Sequence, residues 1–360
     1  MTKQDEIQEK FINSTLEYFK ENDVGYLDLA MRVGKCRITI EVMKRLPNRP
    51  INVLVAYPDN KLRDVWISEF EKWNYSNPNV RYVNFSSLKK HVHDRVDFFI
   101  IDEFHSASSA ERSYCEEIMS RSTNALALSG TVSVETDEEW CLDRIDVYST
   151  LDGISDGILA DYQISVHIIN LDDVTKITDK NGKSKTEKEK YKAYSWVIET
   201  LKRKQENFMH LALARNRLSM SSIGKMNYLK ILLDSLSDKR VLVFTGLAKV
   251  ADDTGVPSYH SKSKNDDNYK EFQKGVFNHL ALAAMGKMGV TYSDLDSVIL
   301  TNFTYNAEET SQILNRAIKL DYRGKKADLH ILCLNELPEL KKIKESLALL
   351  DASKIKYYEN

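Results

Sequence analysis

Apolar residues return at helical spacing between Asp5 and Lys20, where Ile7, Phe11, Ile12, Leu16 and Phe19 line one face of a predicted amphipathic helix. Gly25 breaks that pattern, and Tyr26-Leu27-Asp28-Leu29-Ala30 reads as a strand. The loop Met31-Arg32-Val33-Gly34-Lys35-Cys36-Arg37 then opens a helix carrying Ile38, Ile40, Val42 and Met43. Residues 52–56 form the next strand, which Pro58 ends, and residues 62–73 form a helix with Trp66, Phe70 and Trp73 along one face, read as core. A third strand covers residues 80–85 and is followed by Ser86-Ser87-Leu88. Residues 98–101 are apolar on both faces, as at the centre of a parallel sheet, and end abruptly in Asp102-Glu103-Phe104-His105. A helix over 110–119 and an apolar strand over 125–128 lead into Ser129-Gly130-Thr131.

Strands alternating with helices predict an α/β fold with parallel sheets. Residues 194–217 carry a helical pattern leading into a second sheet, which contains the strand Arg240–Thr245. Residues 337–350 read as a closing helix. The stretch from Leu151 to Tyr162 reads as the connection between two domains, with bends at Gly153 and Gly157. Residues 170–192 are lysine-rich and lack apolar periodicity, so they read as an exposed insertion. Most such runs are merely solvated, but this one has the charge to touch a phosphate backbone. At roughly 150 residues per domain the chain predicts two domains, placed at 1–158 and 215–360 with a linker and insertion at 159–214.

Composition narrows the classes. A chain that is 42% hydrophobic and 29% charged can bury sizeable cores. The balance of 51 Lys and Arg against 53 Asp and Glu gives no overall basic pull, so a nucleic-acid surface must be a local patch. Cys36, Cys115, Cys141 and Cys333 lack paired metal spacing, which predicts reduced thiols in a cytoplasmic compartment rather than disulfides or zinc. A polar amino terminus and the lack of a long apolar run predict neither export nor membrane insertion.

The chemistry is concentrated in two places. Adjacent carboxylates at the carboxyl end of a central strand suit a phosphate-bound Mg²⁺, Asp102 through the metal's shell and Glu103 on an attacking water. A Gly34-Lys35 turn between strand and helix suits a phosphate, with backbone N–H groups cradling it and Lys35 reaching its oxygens. Alone, either has a bland explanation: a solvated acidic turn, or a chance Gly-Lys at a helix start. In this order, one strand-helix unit apart, they support each other.

The order of Gly34-Lys35, Pro58, Phe85-Ser86-Ser87, Asp102-Glu103-Phe104-His105 and Ser129-Gly130-Thr131 resembles the first motor domain of superfamily 2 helicases, and the Met-Arg-x-Gly-Lys loop looks like that of phage-encoded members. The second half is similar to the family's later motifs: the strand Arg240–Thr245, the run from Leu280 to Asp294, and Gln312-Ile-Leu-Asn-Arg316-Ala-Ile-Lys319. The resemblance implies two RecA-like domains of P-loop NTPase type that use ATP and Mg²⁺. It implies a nucleotide loop of Arg32, Val33, Gly34, Lys35, Cys36 and Arg37, with Asp102 and Cys36 at the metal. Glu103, Gln312, Arg316 and Lys319 are the implied catalytic set beside Lys35 and Asp102. Coupling falls to His105, Ser129, Gly130, Thr131, Gly289 and Asp294. Nucleic-acid contact falls to Pro58, Phe85, Ser86, Thr245 and Lys287, and Gln8 is the analogue of a base-recognising glutamine. The implied partner is single-stranded or branched DNA, with RNA open, a protein partner for specificity, and a host cytoplasm if phage-encoded.

Two departures keep a second reading in play. Cys36 stands where a hydroxyl would meet the hard Mg²⁺, and Lys319 stands where a bidentate arginine is usual. The alternative is a helicase-shaped module that binds nucleic acid or a partner and turns over ATP slowly or not at all. A P-loop kinase explains the loop but not the later motifs.

Overall fold

The computed structural model describes residues 2–30, 33–77, 79–130, 132–178, 182–263, 266–283, 295–302, 326–348 and 350–360, apart from the side chain of residue 61. Two compact units divide the chain, Met1–Leu159 and Ala160–Asn360. Both are α/β units built on parallel sheets.

Unit 1 runs α1 (Lys3–Tyr18), β1 (Val24–Leu29), α2 (Lys35–Arg45), β2 (Val53–Tyr57), α3 (Asn60–Lys72), β3 (Val80–Asn84), β4 (Phe98–Asp102), α4 (Ser109–Met119), β5 (Asn124–Ser129), α5 (Val134–Trp140), β6 (Arg144–Tyr148) and α6 (Thr150–Ser155). Its six strands lie in the order β3-β2-β4-β5-β1-β6 and pair in parallel throughout. Every residue of β2 and β4 is buried, as unbroken apolar runs covered on both faces require. Tyr26, Leu54, Ala56, Phe99, Ile101, Ala125 and Ala127 share a core with Cys115, Ile118 and Met119 of α4. The strand expected from Tyr26 already begins at Val24. Gly25 sits inside β1, where a Cβ would lie 2.8 Å from the Ile145 side chain and 2.9 Å from Tyr18, so its lack of a side chain lets α1 and β6 close on the strand.

Unit 2 runs β7 (Tyr162–Ile169), β8 (Lys176–Thr178), β9 (Ser184–Thr186), α7 (Glu187–Arg203), α8 (Met209–Met220), α9 (Ile223–Ser235), β10 (Val241–Thr245), α10 (Ala248–Asp252), β11 (Ser258–Tyr259), α11 (Asp267–Gln273), β12 (His279–Ala283), β13 (Ser297–Leu300), β14 (Ala327–Leu334), α12 (Leu337–Ser346) and β15 (Ile355–Glu359). Its main sheet has the order β11-β12-β10-β13-β14-β7-β15.

Three sequence expectations change here. The span 159–214 is not a linker in its first part, because β7 lies between β14 and β15 and pairs with residues 327–334 far along the chain. Within the lysine-rich stretch, β8 and β9 pair as an antiparallel ladder and α7 already begins at Glu187, where Thr186 and Glu189 form a capping box. The closing helix stops at Ser346, and β15 follows it as an edge strand. Asp161 ties these ends together through ion pairs with Lys326, at 2.8 Å, and with Lys354.

Candidate functional site

The register of unit 1 sets the site. Parallel pairing puts Asp28 level with Ser129 and Leu128 level with Asp102, so the carboxyl ends of β1, β5 and β4 form one edge, the side of an open α/β sheet where ligands bind. The chain leaves β1 there and turns into α2. Gly34 makes the turn at φ +100°, in the left-handed region that favours glycine. A Cβ on it would also come within 2.1 Å of the Gln8 amide nitrogen. Among the described residues no side chain caps α2 and no acid stands in its first turn, a helix start suited to an anion.

Gln8 braces this loop. It is 3% exposed, its amide nitrogen donates to the Val33 carbonyl at 2.6 Å, and its amide oxygen accepts from Arg37. Arg37 in turn donates to Asp5 at 2.5 Å and lies over the Trp73 ring at 4.5 Å. The amide expected to read a base is thus committed to the loop backbone and to Arg37.

Across the edge, β4 ends in Asp102, and Glu103 follows at φ +52°. A non-glycine residue held in that region is strained by about 1–3 kcal/mol, the kind of cost concentrated at functional sites. The strain aims Glu103 back at Lys35, whose ammonium donates to Oε1 at 2.7 Å. Glu103 Oε2 lies 3.6 Å from Nδ1 of His105, and that nitrogen is 2.8 Å from the Ser129 hydroxyl. A polar chain therefore runs from Lys35 through Glu103 and His105 to Ser129. Gly130, the next residue, is buried.

The electrostatics follow from burial. Burial raises the Asp102 carboxyl above its usual range, the Lys35 ammonium opposes the rise, and the Glu103 charge adds to it. Burial works against the Lys35 charge, but Glu103 and Asp102 more than compensate and hold its pKa above normal. The Cys36 thiol is pushed well up, first by burial and then by Asp102. It is a neutral thiol, a poor donor for a hard cation. Among the described residues no group of three or more His, Cys, Asp or Glu side chains is arranged to hold a metal.

One partner of the acids was not foreseen. Trp66 is fully buried on α3, and its indole N–H donates to Asp102 Oδ2 at 2.8 Å. The helical spacing of Trp66, Phe70 and Trp73 marks a buried face but says nothing about where an N–H points. Buried tryptophans do, however, usually find an acceptor. Trp66→Phe should lower the unfolding free energy of the protein by about 2 kcal/mol, through a lost bond to a charged group and a partial cavity. Urea denaturation measures this, and a wild-type midpoint would show that the bond is incidental.

Other expected residues sit differently. Phe85 is 2% exposed inside the unit 1 core, and Thr245 is fully buried with its hydroxyl near the carbonyls of Leu247 and Leu282. Neither presents a surface to nucleic acid, because each apolar strand end turns its side chain inward. Pro58 is half-buried and its carbonyl accepts from Asn84, while Ser86 is exposed and bonds the same asparagine at 2.8 Å. Arg32, Thr131, Lys287, Gly289, Asp294, Gln312, Arg316 and Lys319 lie outside the described residues.

No family model and no curated protein matches the sequence. Solved structures do match the fold. The ATP-dependent type ISP restriction-modification enzyme LlaBIII, bound to DNA, superposes with a TM-score of 0.61 at 12% identity over 98% of this chain. The helicase domain of Pyrococcus furiosus Hef superposes with a TM-score of 0.55 at 13% identity, over 93% of this chain and 97% of that one. The fold is the RecA-like α/β fold of helicases. This chain spans 31% of the restriction enzyme's length, and at such identities the likeness is one of fold alone. No described helix is long and apolar enough to cross a membrane.

Proposed function

We propose that this protein is a nucleic-acid-stimulated ATPase of the helicase kind, which couples ATP hydrolysis to remodelling of DNA. The observation that carries the reading is the meeting of Lys35, Glu103 and buried Asp102 at one sheet edge, beside the uncapped start of α2. This donor set fits a metal-bound triphosphate: a cation and free N–H groups for phosphate oxygens, and a buried carboxylate for a hard ion. The Cys36 thiol is the one member that does not fit.

Bound Mg²⁺ and ATP supply the electrophilic phosphorus and the leaving group. Lys35, drawn toward phosphate oxygens, loosens its hold on Glu103 and leaves that carboxylate free to orient water and accept its proton. Trp66 fixes Asp102 so that one carboxylate oxygen stays available. His105 and Ser129 tie Glu103 to the end of β5, the route by which a bound strand is sensed. Gln312, Arg316 and Lys319 meet the transition-state charge in this reading, with Gly289, Asp294 and Thr131 in coupling and Lys287 on the nucleic acid. ATP turnover measured with and without single-stranded DNA tests the reading, and turnover that is absent, or indifferent to DNA and RNA alike, overturns it.

The half-buried, neutral thiol of Cys36 favours one second reading, a binding module with slow turnover. A single substitution shows whether the cysteine tunes the site. Most of the Mg²⁺ shell in such a site is water and phosphate oxygen, so the thiol should raise the metal requirement more than it lowers saturated turnover. Cys36→Thr should shift the Mg²⁺ titration of DNA-stimulated turnover to lower concentration, and Mn²⁺ should help wild type more than the variant. Superimposable titrations would show the cysteine to be incidental.

A further inference from the structure

Unit 2 holds a cavity of about 400 Å³ between α7, α8 and α12. Tyr191, Met209, Leu213 and Met220 wall it, and Ser219 and Asn302 give it polar atoms. It lies at the carboxyl edge of the unit 2 sheet, since Asn302 follows β13 by two residues and α12 begins just past β14. Ser219 is 3% exposed, and its hydroxyl has no hydrogen-bond partner among the described residues. A buried hydroxyl left unpaired is costly, and a ligand with a donor or acceptor at that point relieves it. Among the described residues, Met209 and Leu213 are more than half exposed at the rim, an apolar edge.

Charge identifies what suits the cavity. The chain as a whole carries a formal net charge of -2, yet residues 183–220 hold ten Lys and Arg against four Glu. Arg215 lines the cavity, and Lys192 stands one residue past Tyr191 on α7, while Lys188 is paired with Asp173 at 3.0 Å. Glu339, the acid in the lining, is already neutralised by the buried ammonium of Lys225 at 2.9 Å. The basic positions continue along α7 to Lys202 and Arg203, roughly 20 Å from Lys188 at the rise of an α-helix. A mononucleotide cannot span that distance, but a strand of several nucleotides can.

We propose that this cavity is a nucleobase pocket, which takes one unstacked base of a single-stranded nucleic acid whose phosphates follow the basic positions of α7 and α8. The proposal rests on the nucleic-acid-dependent reading above and adds to it a site made of none of the residues that reading uses. The apolar side chains of Met209, Leu213 and Met220 accept a flat ring without regard to sequence, and Ser219 and Asn302 meet its edge.

Fluorescence anisotropy of short labelled oligothymidylate and oligouridylate, titrated with the full chain in the absence of nucleotide, tests it. Leu213→Glu, at an exposed position the fold tolerates, should weaken binding by about tenfold or more, while leaving basal ATP turnover unchanged. Lys192→Ala should weaken binding less and reduce the slope of log affinity against log salt by about one. An oligonucleotide carrying 5-iodouracil should crosslink to peptides of α8. Binding by Leu213→Glu equal to wild type, or crosslinks that avoid α7 and α8, overturns the pocket while leaving the ATPase reading standing. Failure of wild type to bind either oligonucleotide overturns both the pocket and the nucleic-acid half of that reading.

Discussion

Glu103→Gln should cut DNA-stimulated ATP turnover by about a thousandfold while ATP binding persists. The amide keeps the size of the carboxylate, and its oxygen can still accept from Lys35 at the 2.7 Å position seen here, so the loop and α2 keep their arrangement. What is lost is the negative charge and the ability to take a proton from water. Removing that charge also relieves the repulsion that raises the Asp102 carboxyl, so Asp102 becomes a readier anion for a cation. Binding should therefore hold or tighten as turnover falls, a pattern that simple misfolding does not produce. Unchanged turnover in this variant would sink the proposed function, because no other described carboxylate contacts the Lys35 ammonium.

Much of the fold is legible in the chain because its strands are local statements. Val53–Tyr57, Phe98–Asp102 and Val241–Thr245 are short apolar runs, and each is buried along its whole length in a parallel sheet. Strands that the local pattern does not mark depend on distant partners. Tyr162–Ile169 lies beside the unit boundary and takes its place only by pairing with residues 327–334. Ile355–Glu359 is mostly exposed and holds its position against Tyr162–Ile169. Site residues divide the same way. A Gly-Lys turn after a strand and two acids after another are visible as patterns, and the structure sets Lys35 against Glu103. Which side chain orients which acid is a tertiary fact: the Trp66 bond to Asp102, the Gln8 bond to Val33 and the His105 contact with Ser129 join residues 24 to 36 positions apart. Phe85 and Thr245 show the converse, since a residue at a strand end next to a ligand edge can still turn into the core.

Lys35→Met should abolish DNA-stimulated turnover and also destabilise the protein in the absence of ATP and metal. The side chain keeps its length, but Glu103 loses the ammonium at 2.7 Å and Asp102 loses the cation that restrains its pKa. Removing one partner of a largely buried ion pair costs roughly 3 kcal/mol at neutral pH. The pH dependence distinguishes this from a packing defect. A carboxyl whose folded pKa lies above its unfolded value near 3.8 binds more protons folded than unfolded, so its contribution to stability is present at low pH and is lost as pH rises through the folded pKa. In wild type that value is raised already, and without Lys35 it rises further. The gap in stability between variant and wild type should therefore be wide at pH 8 and narrow as the solution is brought toward pH 5 and Asp102 takes up its proton. Urea denaturation at the two pH values measures this. A gap of equal size at both would mean that Lys35 acts through packing, and that the charge balance among Lys35, Asp102 and Glu103 does not govern the folded state.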